Sequence, residues 1–137
     1  MIQTLISSLA VVGAFISTYF TVVYYRLLPA DDKHIPAFCR MKETTCRKIL
    51  EAREAKALGV PNSIIGLLYY FSILILPMPA FETFFLISSI FAVGLGMYLT
   101  HTLLMKLKLH CTLCYMAHLI NLVIANLFIV RALQMIL

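Results

Sequence analysis

The sequence predicts an all-α integral membrane protein, an up-down bundle of four transmembrane helices with a long loop and a short surface helix between helices 1 and 2. Of the 137 residues, 62% are hydrophobic and only 12% are charged, whereas soluble domains average about 25% charged residues. Four apolar stretches, at residues 2–28, 60–78, 81–105 and 111–137, each reach the roughly 18 residues that a membrane-spanning helix needs. The last two connections are short, so neighbouring helices run antiparallel.

A single four-helix membrane domain uses residues 1–137, and a loop at 29–59 separates the first two helices. Pro29 stops the first helix because proline cannot continue it. We expect no soluble domain, so a soluble partner would be a separate chain. The first apolar stretch has no basic segment before it and is too long for the apolar core of a signal peptide, so we expect it to be retained as a helix.

Glycine and proline mark the other helix ends. Within the loop, residues 45–58 combine apolar and charged side chains in a pattern typical of a short helix on the membrane surface. Gly59 ends that helix, and Pro61 suits the first turn of the second transmembrane helix. Pro77 and Pro79 then close the second helix.

The four cysteines form two pairs. Cys39 and Cys46 lie in the polar loop, and Cys111 and Cys114 open the last apolar stretch. In an up-down bundle both pairs fall on one membrane face, where two dithiols can react with each other through mixed disulfides. The start of a helix favours the thiolate form of Cys111, which is the reactive form. This arrangement predicts redox chemistry, with Cys114 one turn deeper and close to an electron acceptor.

Polar and small residues recur on one face of each predicted helix, and such residues normally face the interior of a membrane bundle. On the fourth helix this face follows steps of three and four residues and comprises Cys111, Cys114, His118, Asn121 and Ala125. The corresponding residues are Asn62, Ser63, Gly66, Tyr69 and Tyr70 on the second helix, Gly94, Tyr98 and His101 on the third, and Gly13, Ser17, Thr21 and Tyr24 on the first. Together they predict a pocket suited to a flat, amphipathic ring such as a quinone.

Each of these features also has a simpler interpretation. The loop cysteines could form an inert disulfide, and the second cysteine pair could be buried apolar thiols or half of a metal site. His118 and the two neighbouring tyrosines of the second helix could serve packing alone, and Asn62 could cap that helix. The alternatives to a redox enzyme are therefore a cysteine-ligated metal-binding membrane protein and a non-catalytic four-helix membrane protein.

These motifs resemble the vitamin K epoxide reductase family of four-helix membrane thiol oxidoreductases. The resemblance covers residues 38–121 and rests on the loop pair, on the stretch Gly-Val-Pro-Asn-Ser-Ile-Ile-Gly-Leu-Leu-Tyr-Tyr at 59–70, and on Cys-Thr-Leu-Cys at 111–114. It implies that Cys111 and Cys114 form the active-site disulfide, with Cys114 beside a quinone such as ubiquinone or menaquinone. It also implies that the loop pair carries electrons from a thioredoxin-like protein, and that the net result is disulfide formation in client proteins.

The resemblance also implies individual quinone contacts. Asn62 looks like the family's amide that hydrogen-bonds the quinone, and His118 falls where several animal members have a tyrosine that lines the vitamin K pocket. With the helix faces described above, the expected quinone-binding residues are Asn62, Ser63, Gly66, Tyr69, His118 and Asn121. The catalytic residues are expected to be Cys39, Cys46, Cys111 and Cys114, with no metal.

Two departures from the family pattern affect these expectations. Ala52 stands where the family usually has Ser or Thr, so Ser63, Thr112 or a water takes over that hydroxyl, or turnover with some quinones is weak. The sequence carries no fused thioredoxin-like domain, so we expect a thioredoxin-like partner that acts in trans.

The charge distribution predicts the orientation in the membrane. A net charge of +5 would suggest nucleic acid binding in a soluble protein, but here the basic residues flank membrane spans, so we expect contact with lipid and no nucleic acid partner. Ten of the eleven Lys and Arg residues lie on the cysteine face, and only Arg131 lies on the other. The positive-inside rule therefore predicts a cytoplasmic cysteine face in a prokaryotic inner membrane, whereas most family members carry it on the periplasmic or extracellular side.

Overall fold

The computed structural model describes residues 1–25, 56–57, 60–108 and 112–137. Four α-helices dominate the described chain: α1 (Ile2–Tyr24), α2 (Asn62–Ile75), α3 (Met78–Thr102) and α4 (Thr112–Ile136). A π-helical turn, Leu103–Leu107, continues α3, and two short strands, β1 (Lys56–Ala57) and β2 (Val60–Pro61), precede α2. The predicted all-helical fold class is confirmed.

Three of these helices are long and apolar enough to cross a membrane. They are α1, α3 with its extension to Lys106, and α4. Helix α2 is apolar but has only 14 residues, so it is shorter than the second stretch predicted from the sequence. Large apolar side chains lie exposed on the outer surface of all four helices, as expected of a surface in contact with lipid.

The chain before α2 differs from the prediction. Lys56 pairs with Pro61 and Ala57 with Val60 in an antiparallel ladder, so the predicted surface helix at 45–58 is wrong at its C-terminal end. Pro61 favours an extended conformation at Val60, and Ala57 pairs with this extended residue. Pro61 itself is the N-cap of α2, with φ −57° and ψ 139°. The remainder of the predicted surface helix, Gly59 and most of the loop at 29–59 lie outside the described residues.

The connection between α2 and α3 is two residues long and is also set by proline. Leu76 is extended, with ψ 142°, because it precedes Pro77, and α2 therefore ends at Ile75 rather than at residue 78. Pro79 occupies the first turn of α3, where its missing N–H leaves no helical hydrogen bond unmade. As a result, α3 begins three residues before the predicted start and bends at Phe81, which has φ −118° and ψ 19°.

The helices pack as pairs. Helix α1 lies along α2, and α3 lies along α4; α1 also packs on α4, whereas α2 and α3 touch little despite being consecutive. Between α3 and α4, the rings of Phe85 and Phe128 stack with centroids 5.7 Å apart, and both side chains are fully buried. The gap between α2 and α3 is where the candidate site lies.

A buried ion pair joins α3 to α4 near the membrane end opposite Cys114. Arg131 Nε lies 3.3 Å from Glu82 Oε1, and the Glu82 side chain is 6% exposed. At 1.5 Å per residue, Arg131 lies roughly 25 Å along α4 from Cys114. The sequence pattern above assigns no role to Glu82, although a single carboxylate within an apolar stretch and a single arginine in the next are a recognisable signal for an intramembrane pair.

Candidate active site

A cavity of about 710 Å³ lies between the helices and is lined by residues of all four. Most of its wall is apolar and comes from α2 and α3. Several of these apolar lining side chains are also largely exposed, namely Leu68, Phe84, Ile87 and Phe91. The cavity therefore opens sideways through the gap between α2 and α3, toward the surface that faces lipid.

The structure brings together all six residues expected to contact a quinone. Asn62, Ser63, Gly66 and Tyr69 of α2 and His118 and Asn121 of α4 line the cavity, as does Cys114. Their binding of a quinone stays a prediction, but their convergence on one cavity is a property of the fold. It results from two helix faces, here called seams, that lie opposite each other across the bundle. The α2 seam carries Asn62, Ser63, Gly66 and Tyr69, and the α4 seam carries Cys114, His118 and Asn121.

Cys114 lies in the first turn of α4, half-buried, with its sulfur in a disulfide bond. The other three cysteines, Cys39, Cys46 and Cys111, lie outside the described residues. Ala52 also lies outside the described residues. The disulfide of Cys114 therefore stands at the wall of the cavity, beside the residues of the α2 and α4 seams.

Hydroxyl groups line the α1 side of the cavity near the start of α2. Thr21 Oγ1 donates to the Ser17 carbonyl at 2.8 Å, and the hydroxyl oxygens of Thr21 and Ser63 are hydrogen-bonded at 3.1 Å. A Cβ atom on Gly66 would lie 3.2 Å from Ser17 Oγ, so the glycine lets α1 and α2 approach closely. Of the predicted α1 face, Gly13 and Ser17 are buried, and Thr21 and Tyr24 are half-buried, in agreement with an inward orientation.

A second polar contact crosses the bundle from α2 to α4. The Tyr70 hydroxyl donates to Asn121 Oδ1 at 2.5 Å, and Tyr70 is only 2% exposed. The Tyr70 ring also packs against Gly13 of α1, where a Cβ atom would come within 3.0 Å of three ring atoms. Tyr70 therefore ties together three helices at the deep end of the cavity.

Nδ1 of His118 and the hydroxyl of Tyr69 are deeply buried polar atoms of side chains that line the cavity. The Tyr69 hydroxyl lies near the Ser89 side chain of α3. His118 lies against Gly96 of α3, where a Cβ atom would be 2.8 Å from Nδ1. Both polar atoms therefore lie against α3.

The suggested capping role of Asn62 is not observed. Pro61 is the N-cap, and no side chain caps the start of α2, so Asn62 is the first residue inside the helix. Asn62 lies on the cavity wall, and its contact with a ligand stays a prediction.

The predicted inner face of the third helix is wrong. Gly94, Tyr98 and His101 are all exposed, and a Cβ atom on Gly94 would meet nothing within 4 Å. The residues of α3 that line the cavity include Ala92 and Gly96 instead. In a helix this apolar, polar residues near the end lie at the membrane interface as readily as in the interior, so they do not mark the inner face.

The metal-binding alternative receives no support from the described residues. Within 1–25, 56–57, 60–108 and 112–137, no three His, Cys, Asp or Glu side chains come together in a group that could hold a metal ion. Three of the four cysteines lie outside these ranges. The described part of the cavity offers amide, hydroxyl and imidazole groups on an apolar wall, which suits an organic ring with polar substituents.

Comparison with known proteins agrees with this architecture. No curated protein matches the chain. The chain does match the Vitamin K epoxide reductase family over residues 4–129, a range that contains the cavity and nearly all of the four helices. The chain therefore belongs to the vitamin K epoxide reductase family, whose members are multi-pass membrane thiol oxidoreductases.

Proposed function

We propose that this protein oxidises a thioredoxin-like partner and passes the two electrons through two cysteine pairs to a quinone, thereby promoting disulfide formation. The observation that carries the proposal is the position of Cys114, a disulfide-bonded cysteine on the wall of an apolar cavity. A disulfide that only braced the fold would not need a cavity of about 710 Å³ beside it. A redox-active disulfide needs such a space for its reaction partner.

A membrane quinone suits the cavity for two reasons. The opening between α2 and α3 is bordered by exposed apolar side chains such as Leu68 and Phe91, so an acceptor dissolved in the lipid can enter from the side. Inside, the imidazole of His118 and the amide of Asn121 line the wall and can donate hydrogen bonds to carbonyl oxygens. An apolar ring with two carbonyl groups satisfies both the wall and these donors.

The chemistry assigned to each pair follows from its position. In the proposed final step, the thiols of Cys111 and Cys114 close to a disulfide, and their two electrons and two protons convert a bound quinone to a quinol. Cys39 and Cys46 reduce that disulfide again by thiol–disulfide exchange, and a thioredoxin-like protein in trans reduces them in turn. Cys39 is the outer member of the loop pair and Cys46 the inner, because Cys46 directly precedes the segment that leads to α2.

The charge count supports a cytoplasmic cysteine face in a prokaryotic inner membrane. Arg131 is the single Lys or Arg on the opposite face, and it is paired with Glu82. Lys106 and Lys108 lie exposed at the cysteine end of α3. The basic residues that determine orientation are thus concentrated on one side.

The test is quinone reduction by the purified protein in detergent, with a reduced dithiol as electron donor and a short-chain ubiquinone or menadione as acceptor. Cys111→Ala and Cys114→Ala should each lower the rate at least about a hundredfold, since a single thiol cannot form the disulfide that releases two electrons. Met135→Ala, at an exposed position near the end of α4, should keep the rate of the unmodified protein. Equal rates of quinone reduction in the intact chain and in both cysteine variants would show that the cysteines do not carry the reaction. One zinc ion bound per chain, with no quinone reduction, would favour the metal-binding alternative.

A further inference from the structure

We propose that Tyr70 is a positioning residue for the electron acceptor. Its hydroxyl holds the carbonyl of Asn121, so that the NH₂ group of the same amide faces the cavity and donates a hydrogen bond to a quinone oxygen. The inference rests on the proposed function, because it concerns how the same cavity binds its quinone. It concerns Tyr70, which is adjacent on α2 to the expected quinone contact Tyr69. The role proposed for Tyr70 is to orient Asn121 rather than to contact the quinone.

The first step of the argument is the Tyr70–Asn121 hydrogen bond. The hydroxyl of Tyr70 donates to Oδ1 of Asn121 at 2.5 Å. An amide group is planar, so a hydrogen bond that fixes its oxygen also fixes the direction of its NH₂ group. Since Asn121 lines the cavity and its oxygen is engaged by Tyr70, the NH₂ group is the part of the amide left for a ligand.

The second step is the slot that holds Tyr70. Its ring lies against Gly13 of α1, and a Cβ atom there would come within 3.0 Å of three ring atoms. Tyr70 is 2% exposed, so its ring cannot swing away into open space. The tyrosine is therefore held from the α1 side while its hydroxyl reaches α4, and this fixed geometry is what positioning requires.

The third step is a comparison with the other asparagine of α4. Asn126 is exposed, and its Nδ2 atom donates to the Leu122 carbonyl of its own helix at 2.8 Å. The NH₂ group of Asn126 is thus satisfied locally, whereas the hydrogen bond to Tyr70 uses the opposite end of the Asn121 amide. The NH₂ group of Asn126 therefore hydrogen-bonds within α4, whereas the NH₂ group of Asn121 remains a donor for a ligand in the cavity.

The position of Asn121 fits a contact with the acceptor. Cys114, His118 and Asn121 share one face of α4, and at 1.5 Å per residue Asn121 lies roughly 10 Å deeper than Cys114. That distance allows a quinone ring to lie between the sulfur and the amide. Asn121 would then lie beside the deeper oxygen of the ring.

The test compares Tyr70→Phe with the intact protein in quinone titrations of both turnover and binding. Phenylalanine keeps the ring in the Gly13 slot and removes only the hydroxyl. The expected result is a rise of roughly fivefold to tenfold in the quinone KM and Kd, the loss typical of one hydrogen bond, with kcat within about twofold. Tyr98→Phe is the matched control, because Tyr98 is 54% exposed and lies outside the cavity wall, and it should change neither constant.

A double-mutant cycle separates positioning from direct contact. Asn121→Leu alone should raise the quinone KM at least as much as Tyr70→Phe, and adding Tyr70→Phe to it should have no further effect. If Tyr70→Phe still raises KM in the Asn121→Leu background, Tyr70 touches the quinone itself and the proposal is wrong. If Tyr70→Phe lowers thermal stability without moving KM or Kd, the tyrosine is only structural.

The same titrations separate this inference from the proposed function. If the intact protein reduces quinone and Tyr70→Phe has the same quinone KM and Kd, the positioning role is wrong and the proposed function still holds. An intact protein that neither binds nor reduces quinone overturns both.

Discussion

The two sides of α3 are built differently. Toward α4, the helix makes a buried ion pair between Glu82 and Arg131, a ring stack between Phe85 and Phe128, and a close approach of Gly96 to His118. Toward α2 it makes few contacts, and large apolar side chains border an open cavity. The face of α3 toward α4 is thus closely packed, whereas the face toward α2 borders the cavity.

This difference explains how a cavity can exist in a small bundle without a large loss of stability. Close packing of one face anchors a helix, and the other face can then remain open to lipid or ligand. In α3 the anchoring contacts run along the helix from its first turns at Glu82 to Gly96, and their partners on α4 run back from Arg131 to His118. The wall of the candidate site therefore depends on α4, although α2 is the neighbour in sequence.

The largest expected effect comes from breaking the packed side. Glu82→Ala leaves Arg131 without its carboxylate partner, and removal of one member of a buried pair typically costs about 3–5 kcal/mol. We expect a loss of this size in the free energy of unfolding, measured by denaturant titration in detergent. Quinone turnover should fall in parallel, because α3 would no longer be held as the cavity wall.

The control for this prediction removes both charges. Glu82→Leu combined with Arg131→Met should recover most of the stability, since a well-packed apolar pair often replaces a buried ion pair at little cost. A Glu82→Ala protein as stable as the intact one would mean that the ion pair does not anchor α3. The packed side would then rest on the aromatic stack and the glycine contact alone.

The inward faces of α2 and α4 could be predicted from the sequence because of the side chains that these helices carry. Asn62, Ser63, His118 and Asn121 are polar residues in otherwise apolar helices, and burying them in lipid is costly, so their spacing marks the inward face. The structure places them on one cavity wall. The resemblance over residues 38–121 pointed to the same family as the match over 4–129.

The third helix could not be predicted in the same way. Its inward face carries Ala92 and Gly96, which are small rather than polar, and the outward residues Gly94 and Tyr98 look equally plausible in the sequence. Which glycine approaches a neighbour depends on the bend and register of α3, and these follow from tertiary packing. The bend at Phe81, two residues after Pro79, shows how far the helix start departs from an ideal helix.

A smaller effect is expected from filling the open side. Ala92 lines the cavity on α3, and Ala92→Trp would place an indole ring in the space proposed for the quinone. We expect the quinone KM to rise about tenfold or more, equivalent to roughly 1.4 kcal/mol of binding energy, while the free energy of unfolding stays the same or increases.

The matched control is Met97→Trp, which adds the same ring at a position that is 69% exposed and faces away from the cavity. It should leave the quinone KM unchanged. Equal KM values in the two tryptophan variants would mean that the acceptor does not use the gap between α2 and α3.

The smallest effect separates two glycines that lie two residues apart on α3. A Cβ atom on Gly96 would be 2.8 Å from His118 Nδ1, whereas a Cβ atom on Gly94 would meet nothing within 4 Å. Gly94→Ala should therefore raise the free energy of unfolding by about 0.5–1 kcal/mol, the usual advantage of alanine within a helix. Gly96→Ala should cancel that gain or reverse it, because the imidazole must shift. Both variants are measured in the same denaturant titration. An equal change in the free energy of unfolding for Gly94→Ala and Gly96→Ala would show that the His118 side chain can move away from α3 at no cost. The contrast between the packed and open sides of α3 would then depend on the contacts nearer Glu82.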